Sequence, residues 1–280
     1  MNGKVLIKVK QKEWARHNRK VTDIGYQYYT NAIDSNIYNH LSEKTESEFK
    51  NADGNELKDM SNRPAKMKAL YSSSALAVNI FQYWREGNRK VTDIASACGF
   101  CNKKNTQNMQ IEFECKFTIK AQREHHPNID VLIKVSDSNS NQVFAIESKM
   151  TEPFDSSHSN LSNEYLVVDT LWQDFPSLKT LATGTYDFKY LDYAQLIKHI
   201  LGLMNQYGDK KKFVLMYLYY DVAGKDGVEH FNEIEKFKTY AEGDGVDFRT
   251  LSYQELIAKV YQDFYNGNEE YCNYIVDRYL

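Results

Sequence analysis

Apolar and polar residues alternate from Gln110 to Lys120, which predicts a strand that is buried on one face only. The alternation assigns its side chains to two faces, one with Ile111, Phe113, Cys115 and Phe117, the other with Glu112, Glu114 and Lys116. Two apolar runs follow, 127–135 and 143–149, and the segment between them, Ser136–Asn141, has turn composition. The pattern therefore predicts a half-buried strand followed by an antiparallel hairpin.

Several other segments have apolar residues at helical spacing, which predicts helices over 66–84, 91–98, 192–206 and 228–241. The run 213–219 is apolar throughout, as in a central strand that is covered on both faces. A short strand over 246–251 precedes a last helix, for which Ser252 and Glu255 form a capping box. This order of elements predicts an α/β fold, a sandwich in which helices flank a mixed central β-sheet.

Residues 1–60 are polar and rich in Tyr, Asn, Asp and Ser. They predict an N-terminal extension of short helices and loops before an α/β domain over 61–280. The heptapeptide Asn18–Ile24 recurs as Asn88–Ile94, but the residues around the two copies do not align. Two copies do not make a repeat architecture.

Composition limits the class of protein. A chain of 280 residues with 42% hydrophobic content can bury one large core. The longest apolar run, 213–220, is far too short to span a bilayer. Near the N-terminus, Lys8 ends the apolar run 5–7 before the hydrophobic core of a signal peptide could form. Four cysteines do not make a disulfide framework in a chain of this length. We therefore expect a cytoplasmic protein without membrane association.

The formal net charge of −3 argues against a protein that coats nucleic acid non-specifically. An acidic outer surface can still coexist with a basic cleft. The candidates for such a cleft are the basic segments 63–68, 103–104 and 210–212. Segments of this kind are more often a solvated surface or a helix end than a DNA contact.

Pairing the two strands of the hairpin brings Asp130 near Glu147 and Lys149. Glu147 and Lys149 share one face of their strand, while Ser148 points to the other. Two carboxylates suit Mg²⁺, which keeps most of its waters and needs only one or two carboxylates besides a substrate phosphate. Lys149 can then orient or deprotonate an attacking water. The alternative interpretation is a surface strand on which Glu147 and Lys149 are solvated.

This arrangement resembles the active site of the PD-(D/E)xK nuclease superfamily, and the chain is similar to a group of bacterial restriction-endonuclease-like proteins within it. The similarity extends over roughly residues 50 to 260. The matching blocks are Asp53–Leu57, Tyr71–Phe81, Ile111–Glu114, Glu147–Pro153 and Ala194–His199.

The resemblance implies a Mg²⁺-dependent endodeoxyribonuclease that hydrolyses DNA phosphodiester bonds and leaves a 5′-phosphate, with Mn²⁺ as a substitute metal. Asp130, Glu147 and the main-chain carbonyl of Ser148 would hold the metal, and Lys149 would hold the attacking water. The partner would be double-stranded DNA, and a homodimer would suit such an enzyme.

The resemblance also implies supporting residues. Glu114 is a candidate for an additional acid of the active site, although it equally suits the solvent-exposed face of an edge strand. Gln195 would pack from the 192–206 helix against Lys149, with His199 as a hydrogen-bonded neighbour on the same helical stripe. The triplet Glu114-Cys115-Lys116 is a second acid-x-lysine motif, but no nearby upstream acid opens a strand before it.

Other kinds of site have weaker support. Cys98 and Cys101 have zinc-like spacing, but no second close pair of ligands accompanies them. The chain has no Gly-rich phosphate loop and no nucleophile elbow. The rival function is a catalytically inactive nucleic-acid- or protein-binding module on a nuclease fold. Retention of Asp130, Glu147 and Lys149 favours the enzyme.

Overall fold

The computed structural model of the chain describes residues 2–20, 22–23, 26–119, 126–136, 142–155, 158, 161–185 and 187–280. Most of the predicted Ser136–Asn141 turn lies outside the described residues. No helix in the described part of the chain is both long and apolar enough to cross a bilayer.

A mixed five-stranded sheet lies at the centre, with its strands in the order β3-β4-β5-β6-β7. These strands are β3 (Met109–Lys116), β4 (Asn128–Val135), β5 (Val143–Lys149), β6 (Phe213–Tyr219) and β7 (Phe248–Ser252). Antiparallel pairs join β3 to β4 and β4 to β5, which confirms the predicted pairing of the hairpin strands. Strands β5, β6 and β7 run parallel. A separate small sheet pairs β1 (Thr22–Asp23) with β2 (Tyr26–Thr30).

Helices cover both faces of the central sheet. They are α1 (Gly3–His17), α2 (Glu43–Asn51), α3 (Ser73–Arg85), α4 (Val91–Ala97), α5 (Asn163–Leu166), α6 (Pro176–Thr183), α7 (Tyr193–Tyr207), α8 (Lys225–Gly243), α9 (Tyr253–Phe264) and α10 (Glu269–Tyr279). One core cluster joins the sheet to α1–α4, α9 and α10, and another joins it to α5–α8. This confirms the predicted α/β sandwich with a mixed central sheet.

Local sequence explains where several helices begin. The predicted capping box of Ser252 and Glu255 is present at the start of α9. The helix predicted over 66–84 was too long at its N-terminal end, because Ser72 caps α3 by accepting a hydrogen bond from the Ala75 amide. Residues 66–68 instead form a separate 3₁₀ turn.

The predicted alternation along β3 fails at Glu114. This residue has a φ of +52°, in the left-handed region that strand residues avoid. Phe113 therefore packs in the core on the α3 side of the sheet, whereas Cys115 packs on the α7 side. Placing Ile111, Phe113, Cys115 and Phe117 on one face was wrong, because the backbone turns over between Phe113 and Cys115.

The repeated heptapeptide adopts two different structures. In the first copy Asn18 ends α1, and Thr22–Asp23 form the short strand β1. In the second copy Val91 is the first residue of α4. Identical local sequence therefore does not decide the conformation, and the surrounding tertiary contacts do.

The N-terminal helix packs against the C-terminal one. The buried Gln11 side chain donates to the Arg278 carbonyl at 3.0 Å. The Arg278 guanidinium, 1% exposed, donates in turn to the Asn36 carbonyl and to its side-chain oxygen, each at 2.6 Å. The Gln11 contact joins α1 to α10, and the Arg278 contacts join α10 to Asn36.

Candidate active site

The register of β4 and β5 sets Asp130 against the end of β5. Val131 pairs with Ile146, so Asp130 lies beside Glu147 and Ser148. Its Oδ2 accepts a hydrogen bond of 2.7 Å from the Ser148 amide. The Ser148 hydroxyl lies on the other face of the sheet, 2.6 Å from the Tyr253 hydroxyl. The strand pairing thus orients the Asp130 carboxylate toward the Glu147 side.

Glu147 is buried in the core, with its side chain 1% exposed. Its Oε1 lies 2.5 Å from Lys149 Nζ, and its Oε2 lies 2.8 Å from His199 Nε2. Both contacts are at ion-pair distance but lack the alignment of a hydrogen bond, so neither carboxylate oxygen has a well-aligned donor among the described residues. A buried carboxylate in this state retains the capacity to accept a further ligand.

Helix α7 holds both ends of the Glu147–Lys149 pair. Gln195 Oε1 accepts a hydrogen bond of 2.9 Å from Lys149 Nζ, and His199, one turn further, contacts Glu147. Asp192 caps the start of this helix by accepting a hydrogen bond from the Gln195 amide. Near its middle, Gly202 lets the helix approach Phe117, because a Cβ on Gly202 would lie 2.9 Å from Phe117 Cβ.

Two further acids lie near the pair. Glu114 is half-buried at the kink of β3, directly across from Asp130. Glu56 is 8% exposed and accepts hydrogen bonds from Lys66 at 2.9 Å and from Ser74 at 3.1 Å. The strained backbone of Glu114 is the kind of outlier that clusters at functional sites.

Burial and mutual repulsion raise the pKa of two of these carboxyls. Burial, followed by the charges of Glu56 and Glu147, raises the pKa of Glu114 to about 8. Burial and then Glu147 raise the pKa of Asp130 well above its usual range. The cluster therefore holds more carboxylates than it can keep ionised at neutral pH without a compensating cation.

The Glu147–Lys149 pair behaves in the opposite way. Burial raises the pKa of Glu147, but the neighbouring Lys149 and then His199 outweigh burial and lower it to about 2. Burial lowers the pKa of Lys149, whereas Glu147 and Asp130 raise it, and the net direction is upward. Both partners are therefore charged at neutral pH.

These donors fit a hard divalent cation. Mutually repelling carboxylates of Asp130, Glu114 and Glu147 supply oxygen ligands only, as Mg²⁺ and Mn²⁺ prefer. Within the described residues, no group of three or more His, Cys, Asp or Glu side chains is already arranged as a metal cage. Mg²⁺ does not need such a cage, because it retains several waters and binds through one or two carboxylates.

A cavity of about 230 Å³ opens beside Lys149. Its walls include Gln195, Glu152, Tyr190, Tyr217 and Asp192. The cavity lies beyond the C-terminal ends of the parallel strands β5 and β6, where ligands commonly bind in α/β sheets. It gives the Lys149 ammonium access to a water or to part of a substrate.

The alternative triplet Glu114-Cys115-Lys116 is not brought together in this way. Lys116 is exposed, and its Nζ lies 2.7 Å from Asp53 Oδ2 rather than against Glu147. The resemblance included Glu56 in the block Asp53–Leu57, but sequence reasoning assigned it no role, because it lies in an irregular segment where no periodicity marks it. Sequence reasoning also did not foresee that His199 would contact Glu147 itself, since a stripe on a helix does not show which strand residue it faces.

Comparison with known proteins places the chain in a family. Residues 8–280 match the family model described as "Restriction Endonuclease associating with ARP". Comparisons with curated proteins and with solved structures gave no significant match. Because the family match spans nearly the whole chain, the protein belongs to this restriction-endonuclease family, which indicates a nuclease that acts on DNA.

Proposed function

We propose that the protein is a Mg²⁺-dependent endodeoxyribonuclease of the PD-(D/E)xK type that cuts double-stranded DNA. The observation that carries this proposal is the convergence of Asp130, Glu147 and Lys149 at the end of β5. Family membership supports the same reaction class. The description of the family further suggests that a partner protein, ARP, associates with this chain.

Asp130, Glu147 and the Ser148 carbonyl would hold the divalent cation, with Glu114 as a further ligand. A bound cation of this kind polarises the phosphoryl oxygens, lowers the pKa of a coordinated water and neutralises the leaving oxygen. The Ser148 amide orients Asp130 through their 2.7 Å hydrogen bond. His199 contacts the Glu147 oxygen that Lys149 does not contact, so the carboxylate has a neighbour on each oxygen.

Lys149 would position the attacking water. Gln195 Oε1 accepts a hydrogen bond from the Lys149 ammonium, and Glu147 Oε1 lies on another side of the same group. The ammonium is therefore held in a fixed orientation at the wall of the cavity. An ammonium group has three donors, which leaves one for the water. A positively charged Lys149 also stabilises negative charge that develops on the phosphoryl group.

An inactive module on the same fold is the second candidate. It is favoured by one observation, namely that the Lys149 ammonium is already neutralised by the buried Glu147 carboxylate. Such a module would bind nucleic acid or protein without cutting it. The two candidates differ in whether a divalent metal produces cleavage.

The test is a cleavage assay on supercoiled and linear duplex DNA with Mg²⁺, Mn²⁺, Ca²⁺ or chelator. We expect cutting with Mg²⁺ and Mn²⁺, none in chelator, and loss of at least about 10²-fold in rate for Lys149→Met and for Asp130→Asn. Lys116→Met is the matched control, because it removes the lysine of the alternative triplet from an exposed position. Full activity of Lys149→Met with loss in Lys116→Met would transfer the site to the other triplet.

A further inference from the structure

Three lysines at every fourth position lie along one face of α1. Lys4, Lys8 and Lys12 are all half-buried, and we call them the basic stripe. At about 1.5 Å per residue they extend over about 12 Å, which matches three to four nucleotides along one strand of a duplex. None of the three lies in the basic segments that the sequence suggested for a cleft.

Aromatic rings hold two of these lysines in place. Lys8 Nζ lies 4.1 Å from the ring centroid of Tyr71 and 5.2 Å from that of Tyr28. Lys12 Nζ lies 5.3 Å from the same Tyr28 ring. A cation–π contact occupies one side of an ammonium group and leaves its other donors free, while it reduces the rotamer entropy lost on binding.

One lysine of the stripe is in an ion pair, and the other two contact neutral groups. Among the described neighbours, Lys4 contacts the Asp155 carboxylate, while Lys12 donates to the neutral Gln27 at 2.6 Å. The pKa of Lys8 is lowered by burial and then by Lys4, although Asp155 acts against this. Lys10 differs, because it donates to the carbonyls of Tyr279 and Leu280 and so serves the fold.

One end of the stripe contacts the segment that follows Lys149 in the chain, since Lys4 pairs with Asp155. Asp155 follows the 3₁₀ turn Glu152–Phe154, which comes three residues after Lys149. Gly3 packs so closely on this turn that an added Cβ would lie 2.8 Å from the Phe154 ring.

A cavity of about 220 Å³ continues the path from the stripe to the carboxylates. Tyr29 and Tyr71 line it on the side of the stripe, and Glu56 and Glu152 on the side of the site. Arg63 and Lys66 add two further cations to its wall. Lys66 pairs with Glu56 at 2.9 Å, so Arg63 is the cation of this wall that lies beside the Tyr29 and Tyr71 rings without belonging to that pair.

We propose that the basic stripe binds consecutive phosphates of the DNA strand that leads into the active site. The inference rests on the proposed nuclease function and adds to it the surface that positions the substrate. A row of lysines at helical spacing gives contacts to the backbone and not to base edges. The stripe therefore contributes affinity and register, and sequence recognition lies elsewhere.

The experiment measures binding apart from cleavage. Fluorescence anisotropy of a labelled 20-base-pair duplex is followed in Ca²⁺ from 50 to 200 mM salt with three proteins. These are the unmodified chain, the triple variant Lys4→Gln/Lys8→Gln/Lys12→Gln, and a control triple variant Lys44→Gln/Lys50→Gln/Lys238→Gln. The control lysines lie in i,i+4 ion pairs of α2 and α8, and both triple variants change the net charge equally.

The logarithm of the affinity falls against the logarithm of the salt concentration with a slope of about −0.9 per phosphate contact. Three such contacts therefore weaken binding about 40-fold between 50 and 200 mM salt. We expect that part of the salt dependence to disappear in the stripe variant and to remain in the control. Circular dichroism and thermal melting check that α1 is intact. Equal salt slopes for the stripe variant and the control variant would overturn the proposal that the basic stripe binds DNA. Failure of the unmodified chain to bind DNA at 50 mM salt would instead overturn the proposed function itself.

Discussion

His199 Nε2 lies 2.8 Å from Glu147 Oε2 in a part of the core where both side chains are almost completely excluded from solvent. Glu147 therefore has a cation on one oxygen, Lys149, and an imidazole on the other. The pair of residues on α7, Gln195 and His199, holds the Lys149 and Glu147 side chains respectively. This relationship makes the geometry of the site depend on how α7 packs on the sheet.

Replacing His199 tests that dependence. His199→Gln retains a nitrogen donor at nearly the same distance, whereas His199→Leu leaves the buried Glu147 oxygen without its partner. We expect the leucine variant to lose about 1–3 kcal/mol of stability and to need a higher Mg²⁺ concentration for half-maximal cleavage. The glutamine variant should retain most of both. Urea unfolding and cleavage against metal concentration measure the two effects, and identical metal dependence in both variants would contradict the assigned role.

The raised pKa of Glu114 makes stability depend on pH. Because the carboxyl titrates near pH 8 in the folded chain and near 4.5 when unfolded, the folded state retains a proton between these values that the unfolded state has released. Stability should therefore fall as the pH rises through this window. Glu114→Gln should flatten the dependence and be more stable at pH 8 by about 1–3 kcal/mol, a value discounted for partial exposure.

Added Mg²⁺ should oppose the same loss, since metal binding requires the carboxylates to be deprotonated. The measurement is chemical denaturation at pH 5, 6.5 and 8, with and without metal. A stability profile of the unmodified chain that is flat from pH 5 to 8 would show that burial and the neighbouring acids do not raise the pKa of Glu114.

Gly202→Ala probes the packing of α7. The new methyl group would meet Phe117 Cβ at 2.9 Å, and that atom is anchored to the backbone, so it cannot move away easily. We expect a loss of about 1–3 kcal/mol in the free energy of unfolding and a parallel drop in cleavage rate. Gly243→Ala is the matched control in another helix, because its nearest neighbour is the rotatable Ser177 hydroxyl at 3.2 Å. The control should change stability by less than about 0.5 kcal/mol.

The protein should carry no stoichiometric zinc. A structural zinc site needs four ligands, and within the described residues no group of three or more His, Cys, Asp or Glu side chains accompanies Cys98 and Cys101. Elemental analysis after dialysis is sufficient. About one zinc per chain would contradict this expectation and direct attention to the segment around Cys98.

The sequence predicted the main elements of the sheet and the meeting of Asp130 with Glu147 and Lys149. Strand alternation has a period of two, so residues 147 and 149 had to share a face. The turn composition of Ser136–Asn141 predicted the antiparallel hairpin whose register brings Asp130 beside Glu147. The apolar run of β6 likewise indicated a central strand covered on both faces. These features depend on local periodicity, which can be read without a structure.

Only the tertiary structure decided the rest. The reversal of faces at Glu114, the approach of Glu56 and the direction of Lys4, Lys8 and Lys12 toward the site all depend on residues far apart in the chain. The two copies of the heptapeptide show the limit most directly, since the same residues give a strand in one place and a helix in another. Local sequence sets which conformations are accessible, and burial against distant parts of the chain selects among them.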